Sequence, residues 1–173
     1  MIAGIALLLT LPSANLVFAD SGHREYNYLL GTGVLCTLGI PNACPDISMA
    51  SNGDTVWVTG SGTFSIHPSS ATGTGAFVHK DSSGNVRASG TWTAIKLMSF
   101  VSYPTSPGFP AGFSAGKAVM LVHLSVGVDA VLTITCEFGL NPPGQMEGIR
   151  LNVQDIINFN THVSGITVFI RTA

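Results

Sequence analysis

Residues 54–103 read DTVWVTGSGTFSIHPSSATGTGAFVHKDSSGNVRASGTWTAIKLMSFVSY, and the fold class follows from how this stretch alternates. Every second residue from Val56 gives Val56, Val58, Gly60, Gly62, Phe64 and Ile66, whereas the intervening set is Thr55, Trp57, Thr59, Ser61, Thr63, Ser65 and His67. Successive side chains of a strand point to opposite faces, so one face is apolar and the other rich in hydroxyls. A helix would scatter both sets around its axis. Gly60 and Gly62 leave the apolar face bare at its middle, which predicts a bend or a close backbone approach there. Asp81-Ser82-Ser83-Gly84-Asn85 has hairpin-turn chemistry, with Asp opening it and Gly supplying a positive φ. The stretch is therefore three consecutive strands, the second being GTGAFVHK and the third VRASGTWTAIKLMSFVSY. The connection over 68–73 is less defined. Phe77 and Val78 are both buriable, so the register of the middle strand stays open, because a one-residue slip exchanges its faces.

Downstream, residues 104–116 (PTSPGFPAGFSAG) are too rich in proline and glycine for regular structure and form the longest loop. Residues 117–126 read as a central apolar strand. Residues 130–138 follow after a turn, with Leu132, Ile134, Cys136 and Phe138 on one face, and 141–144 form another loop. Residues 148–153 and 165–171 alternate as short strands, and 154–161 admit a helical turn. Upstream, 20–28 read as a loose N-terminus, 29–40 as a strand or buried connector, and 41–53 as a loop. The expectation is an all-β fold, a single antiparallel β-barrel or β-sandwich of about seven to eight strands.

The first 19 residues carry an apolar run over 2–11, a break at 12–15, and Val17-Phe18-Ala19 with small residues at the −3 and −1 cleavage positions. They read as a secretory signal peptide, although no Lys or Arg precedes the apolar run. Residues 20–173 then form one domain with no further membrane-span candidate. Charged residues make up 9% of the chain, against about 25% in ordinary soluble domains, so the polar surface is built from Ser, Thr, Asn and Gly. Seven basic and nine acidic side chains without a cluster exclude a nucleic-acid footprint and a basic membrane-binding patch.

An oxidising compartment favours cysteine pairing. Cys36 and Cys44 flank TLGIPNA and close a small loop if joined; Cys44 with Cys136 would instead staple the N-terminal segment to a strand. Cys136 also fits a buried thiol. No C-x-x-C or close Cys/His spacing points to a metal, and no cofactor signature is present.

Gly112-Phe113-Ser114-Ala115-Gly116 matches G-x-S-x-G, but a nucleophile elbow needs a strand before the serine and a helix after it. Here a loop precedes and a strand follows, so the match is read as coincidence. The five histidines, His23, His67, His79, His123 and His162, have no metal-ligand spacing; His123, which interrupts an apolar strand, is expected to be buried and hydrogen-bonded. Asp46, Asp54, Asp81, Asp129, Glu137, Glu147 and Asp155 fall mostly in predicted turns. Glu137 and Glu147 would form a glycosidase pair, at about 5–10 Å, only if folding brought them together. Trp57 and Trp92 stand among hydroxyls, either as platforms for a sugar ring or packed in a core.

The leading functional expectation is therefore a non-enzymatic, secreted binding or surface module, with a glycan at Trp57 and Trp92 as one class of partner. The alternative is a barrel that carries, or acts on, a small apolar molecule, with His79, His123 and Tyr103 as polar groups in an apolar lumen. A third reading is a subunit that polymerises through exposed strand edges.

Overall fold

The computed structural model describes residues 22–139 and 142–173; the leader at 1–19 and the first residue of the 141–144 loop lie outside them. The fold is all-β: β1 (Glu25–Leu30), β2 (Asp46–Ala50), β3 (Thr55–Ser65), β4 (Ser70–Lys80), β5 (Val86–Tyr103), β6 (Phe113–Leu124), β7 (Val128–Cys136), β8 (Gly148–Val153), β9 (Ile157–Ser164) and β10 (Thr167–Arg171), with a 3₁₀ turn at Gly33–Thr37. All pairings are antiparallel within one 10-stranded sheet, and each strand has neighbours on both sides.

The long strands β3, β4, β5 and β6 form a continuous wall, and the remaining strands close it in two branches. Along β3, β2 pairs with residues 55–58 and β1 with residues 60–65. Along β6, β10 pairs with 113–114 and β7 with 116–124. One end of the barrel is therefore ringed by six strands (β1, β10, β6, β5, β4, β3), the other by eight (β2, β9, β8, β7, β6, β5, β4, β3). Barrel width grows with strand number. The narrow end is filled by Tyr26, Phe64, Phe100 and Phe169, with ring centroids 4.9–5.7 Å apart. Each such burial contributes about 1.5–3 kcal/mol. The wide end is lined mainly by aliphatic groups, with Phe77 and Phe159 among them.

The three-strand reading of 54–103 matches β3, β4 and β5, and the register settles the ambiguity at Phe77 and Val78. Val58 stands opposite Phe77 and Trp57 opposite Val78, so Phe77 faces inward. The bare middle of β3 meets a second bare patch, since Gly60 pairs with Gly75 and Gly62 with Gly73. A Cβ on Gly60 would lie 2.4 Å from Trp92 Cζ2, and one on Gly73 would lie 2.2 Å from the Tyr28 hydroxyl. The glycines thus make room for two large rings, whose polar atoms find backbone carbonyls: Trp92 Nε1 donates to Thr59 O at 3.0 Å and Tyr28 Oη to Thr72 O at 2.9 Å.

Three strands lie where loops or uncertain segments were expected. In β1, Tyr26, Tyr28 and Leu30 alternate inward. In β2 the inward set is Asp46, Ser48 and Ala50, which carries no apolar signature. In β9 the register shifts against β2 break the alternation. Bulges also re-aim β5: the register slips at Ile95 and Met98, so Trp92, Ala94, Leu97 and Phe100 face inward at uneven spacing. Cys36 and Cys44 form a disulfide, and Cys136 is a free thiol at 0% exposure in the core.

Candidate functional site

The wide end of the barrel holds a cavity of about 160 Å³. Its walls are side chains such as Val56, Phe77, Leu124, Leu151 and Phe159, and one polar side chain, His79. Val126 and Ile156, on the β6–β7 and β8–β9 turns, stand at its rim and are 52% and 68% exposed. Apolar residues at turn tips are ordinary singly; here two of them line one opening.

His79 is placed by the hairpin. Pairing begins at Ser65–Ser70, which puts His79 opposite Val56 on the inward face. Across the β2–β3 turn, Gly53 adopts φ +84° and Ala50 N donates to Asp54 O at 2.8 Å, so Asp54 is presented beside β4. His79 Nε2 then meets Asp54 Oδ2 at 2.8 Å, with both side chains largely buried. The carboxylate accepts the Nε2 proton and so selects the tautomer in which Nδ1 is an acceptor. Nδ1 makes no hydrogen bond among the described residues. The ring stands edge-on to Phe159 at 5.1 Å and 78°. Sequence reasoning singled out His79 but left Asp54 in a turn; the pair becomes visible only once the hairpin register is known.

A second polar cluster was not foreseen. It lies where the two branches of the barrel diverge, so backbone groups there lack sheet partners and must be satisfied otherwise. Asp46 Oδ1 accepts from Ile149 N at 3.2 Å, and Ser48 Oγ donates to Ile149 O. Glu147 Oε1 accepts from Thr167 N at 2.7 Å, and its other oxygen accepts from Glu137 N. Thr167 Oγ1 donates to Thr135 O at 2.8 Å and also lies 2.9 Å from Glu147 Oε1. The one hydroxyl proton is shared between these two acceptors. Gly31, Gly148 and Gly165 pack so closely that a Cβ on any of them would fall within 2.3–2.8 Å of an Asp46 atom.

Burial dominates the electrostatics of this cluster. It raises Asp46 to about 8, helped by the charge of Glu147 and opposed by the Ile149 N–H. It raises Glu147 to about 7 against the lowering pull of the Thr167 and Glu137 amides. It also depresses His162, whose Nδ1 is buried, unpartnered and 4.0 Å from Asp46 Oδ1. Asp46 Oδ2 is likewise without a hydrogen bond among the described residues. Folding does bring Glu137 and Glu147 together: the Glu137 N–H donates to Glu147 Oε2, and the Glu137 charge adds to the upward shift of Glu147. Neither Asp46 nor Glu147 lines the apolar cavity.

The other sequence candidates are dispersed. Trp92 is 2% exposed beneath the glycine patch, which withdraws it as a sugar platform. Trp57 is on the outer face of β3, where Lys80 Nζ sits 3.4 Å from its ring centroid and covers it. His123 corrects the expectation of a buried histidine: its neighbours Val122 and Leu124 point inward, so it points out, exposed and 2.7 Å from Asp129. Tyr103 is buried at the narrow end with its hydroxyl on Gln145, away from His79. Ser114 lies within β6 opposite Phe169, without strand–turn–helix geometry. Among the described residues no group of three or more His, Cys, Asp or Glu has metal-binding geometry, and no helix is long and apolar enough to cross a membrane.

A shallow groove on the outer face of β7, β8 and β9 is lined by Thr133, Arg150, Asn152, Gln154, Asn158 and Asn160. Asn152 and Asn158 are directly paired, and Arg150 Nε donates to Asn160 O at 3.2 Å.

No protein-family model, curated protein or solved structure matches this chain at a significant level.

Proposed function

We propose that this protein is a non-enzymatic, exported binding barrel whose ligand is a small apolar molecule held in the wide-end cavity. The observation that carries this reading is a cavity of about 160 Å³ at the eight-strand end, open at its rim, with an aliphatic and aromatic wall and a single polar side chain, His79, anchored by Asp54. Ligand sites are commonly concave, apolar and marked by a few placed polar groups. Binding is favoured over catalysis because no Ser, Cys, Lys, Tyr, Asp or Glu is among the lining side chains to act as nucleophile or to complete an acid–base pair. Export is supported by the apolar leader and by the Cys36–Cys44 disulfide. Native mass spectrometry of the purified chain, followed by thermal-shift screening with small arenes, alkanes and alcohols, tests the reading. A co-purified or stabilising apolar molecule is expected; a flat response throughout the panel counts against a binding barrel.

The amide-lined groove on β7–β9 favours a second reading, a glycan-binding surface, because amides and a guanidinium offer dense hydrogen bonding to hydroxyls. Glycan-array binding that survives Trp57→Ala but is lost in Asn152→Ala/Asn158→Ala would select it.

A further inference from the structure

Resting on the binding-barrel reading, we infer that the cavity ligand is a single aromatic ring carrying one hydroxyl group, a phenol-class molecule whose O–H donates to His79. Size comes first. The cavity is about 160 Å³, and an apolar protein cavity of about 150 Å³ takes up benzene. One ring fits; a long acyl chain does not fit inside. Shape and electronics agree, because Phe77 and Phe159 form part of the wall and His79 already stands edge-on to Phe159 at 5.1 Å. Aromatic rings prefer such edge-to-face and offset neighbours over aliphatic ones of equal area.

The polar requirement is equally narrow. The Nε2–H of neutral His79 donates to Asp54 Oδ2 at 2.8 Å, which leaves Nδ1 as the one side-chain hydrogen-bonding atom His79 has for a ligand. No other lining residue has a polar side chain. The site thus offers one acceptor, complementary to one donor. A ligand carboxylate would meet no Lys or Arg in the wall and would lie near the Asp54 charge; burying it unpaired is strongly unfavourable. Val126 and Ile156 at the rim present apolar surface to the outer edge of the ring.

Two-dimensional NMR titration of the full chain tests the assignment, using phenol, benzene, cyclohexanol, benzoate and 1-dodecanol as probes. Phenol is expected to shift resonances of Val56, Leu151 and His79, and benzene to bind at the same place roughly five- to tenfold more weakly, the loss of one net hydrogen bond. Cyclohexanol is expected to be weaker than phenol, and benzoate to leave the spectrum unchanged. In His79→Phe, phenol should fall to the level of benzene while benzene binding persists, which also reports that the variant is folded. Equal binding of phenol and benzene to the parent protein, or undiminished phenol binding in His79→Phe, overturns the hydroxyl contact. If only 1-dodecanol binds, the ring assignment is wrong and the binding barrel stands; if no probe binds, the barrel reading itself fails.

Discussion

Replacing Asp46 by Asn should stabilise this protein, and should do so increasingly as the pH rises. Asp46 is wholly buried, and its carboxyl titrates near 8 in the folded chain against an ordinary 3.8. Below pH 3.8 the group is protonated in both states and contributes no pH dependence. Between 3.8 and about 8 the unfolded chain ionises it while the folded chain holds it neutral, so the folded state binds more protons and stability falls as pH rises. Each unit of displacement is worth about 1.4 kcal/mol. The parent protein therefore gives up roughly 4 kcal/mol between pH 4 and 7, and on the order of 5 kcal/mol by pH 8 and above, from this residue. Asn keeps an oxygen to accept the Ile149 N–H, fills nearly the same volume and never ionises. Urea unfolding of both proteins from pH 4 to 9, monitored by Trp fluorescence, measures the difference. Near-equal stability at pH 4 should widen to several kcal/mol at pH 8, or roughly 8–16 °C in Tm at pH 7. A constant difference across the range, or a less stable variant at pH 8, would refute the view that a neutral, buried carboxyl occupies the junction.

Further outcomes follow from single contacts. Gly75→Ala should destabilise by roughly 2–4 kcal/mol, because its Cβ would lie 1.8 Å from Thr59 O and 2.6 Å from Trp92 Nε1; differential scanning calorimetry reads this. Glu147→Ala strands the Thr167 and Glu137 amides and should cost roughly 2–4 kcal/mol, with Glu147→Gln recovering part of it in the same unfolding assay. Burial pushes the Cys136 thiol well above its ordinary value, so a thiol reagent should label it in denaturant and spare it in the native state; native labelling at pH 8 would place it at the surface. His123→Ala removes only an exposed contact with Asp129 and should change stability by less than about 1 kcal/mol.

How much was legible depended on whether a residue's neighbour was local. The alternation in β3 and the turn at 81–85 exposed the central hairpins, and the bare positions Gly60 and Gly62 announced a close approach. That the approaching groups were Trp92 and Tyr28 came from strands distant in the chain, Trp92 lying 32 residues from Gly60 and Tyr28 lying 34 from Gly62, and from a second glycine pair on β4. β2 was read as a loop because its inward side chains, Asp46 and Ser48, are polar: they cap backbone groups at the junction of the two barrel branches instead of joining the apolar core. His123 was expected inside because its neighbours are apolar; the partial burial of the outer face of β6 blurred the alternation that would have placed it outside.

Composition and local periodicity determined the class: little charge, alternating hydroxyl and apolar faces, and glycine-rich turns point to an antiparallel β-fold. Tertiary structure alone decided that the sheet closes, that six strands ring one end and eight the other, and that the wider end stays partly empty. It alone brought Asp54 to His79 and placed Asp46 and Glu147 in one buried junction. The reason is physical: alternation is a property of one strand, whereas closure, register and proton affinity depend on groups far apart in the chain that become neighbours only when water is excluded between them.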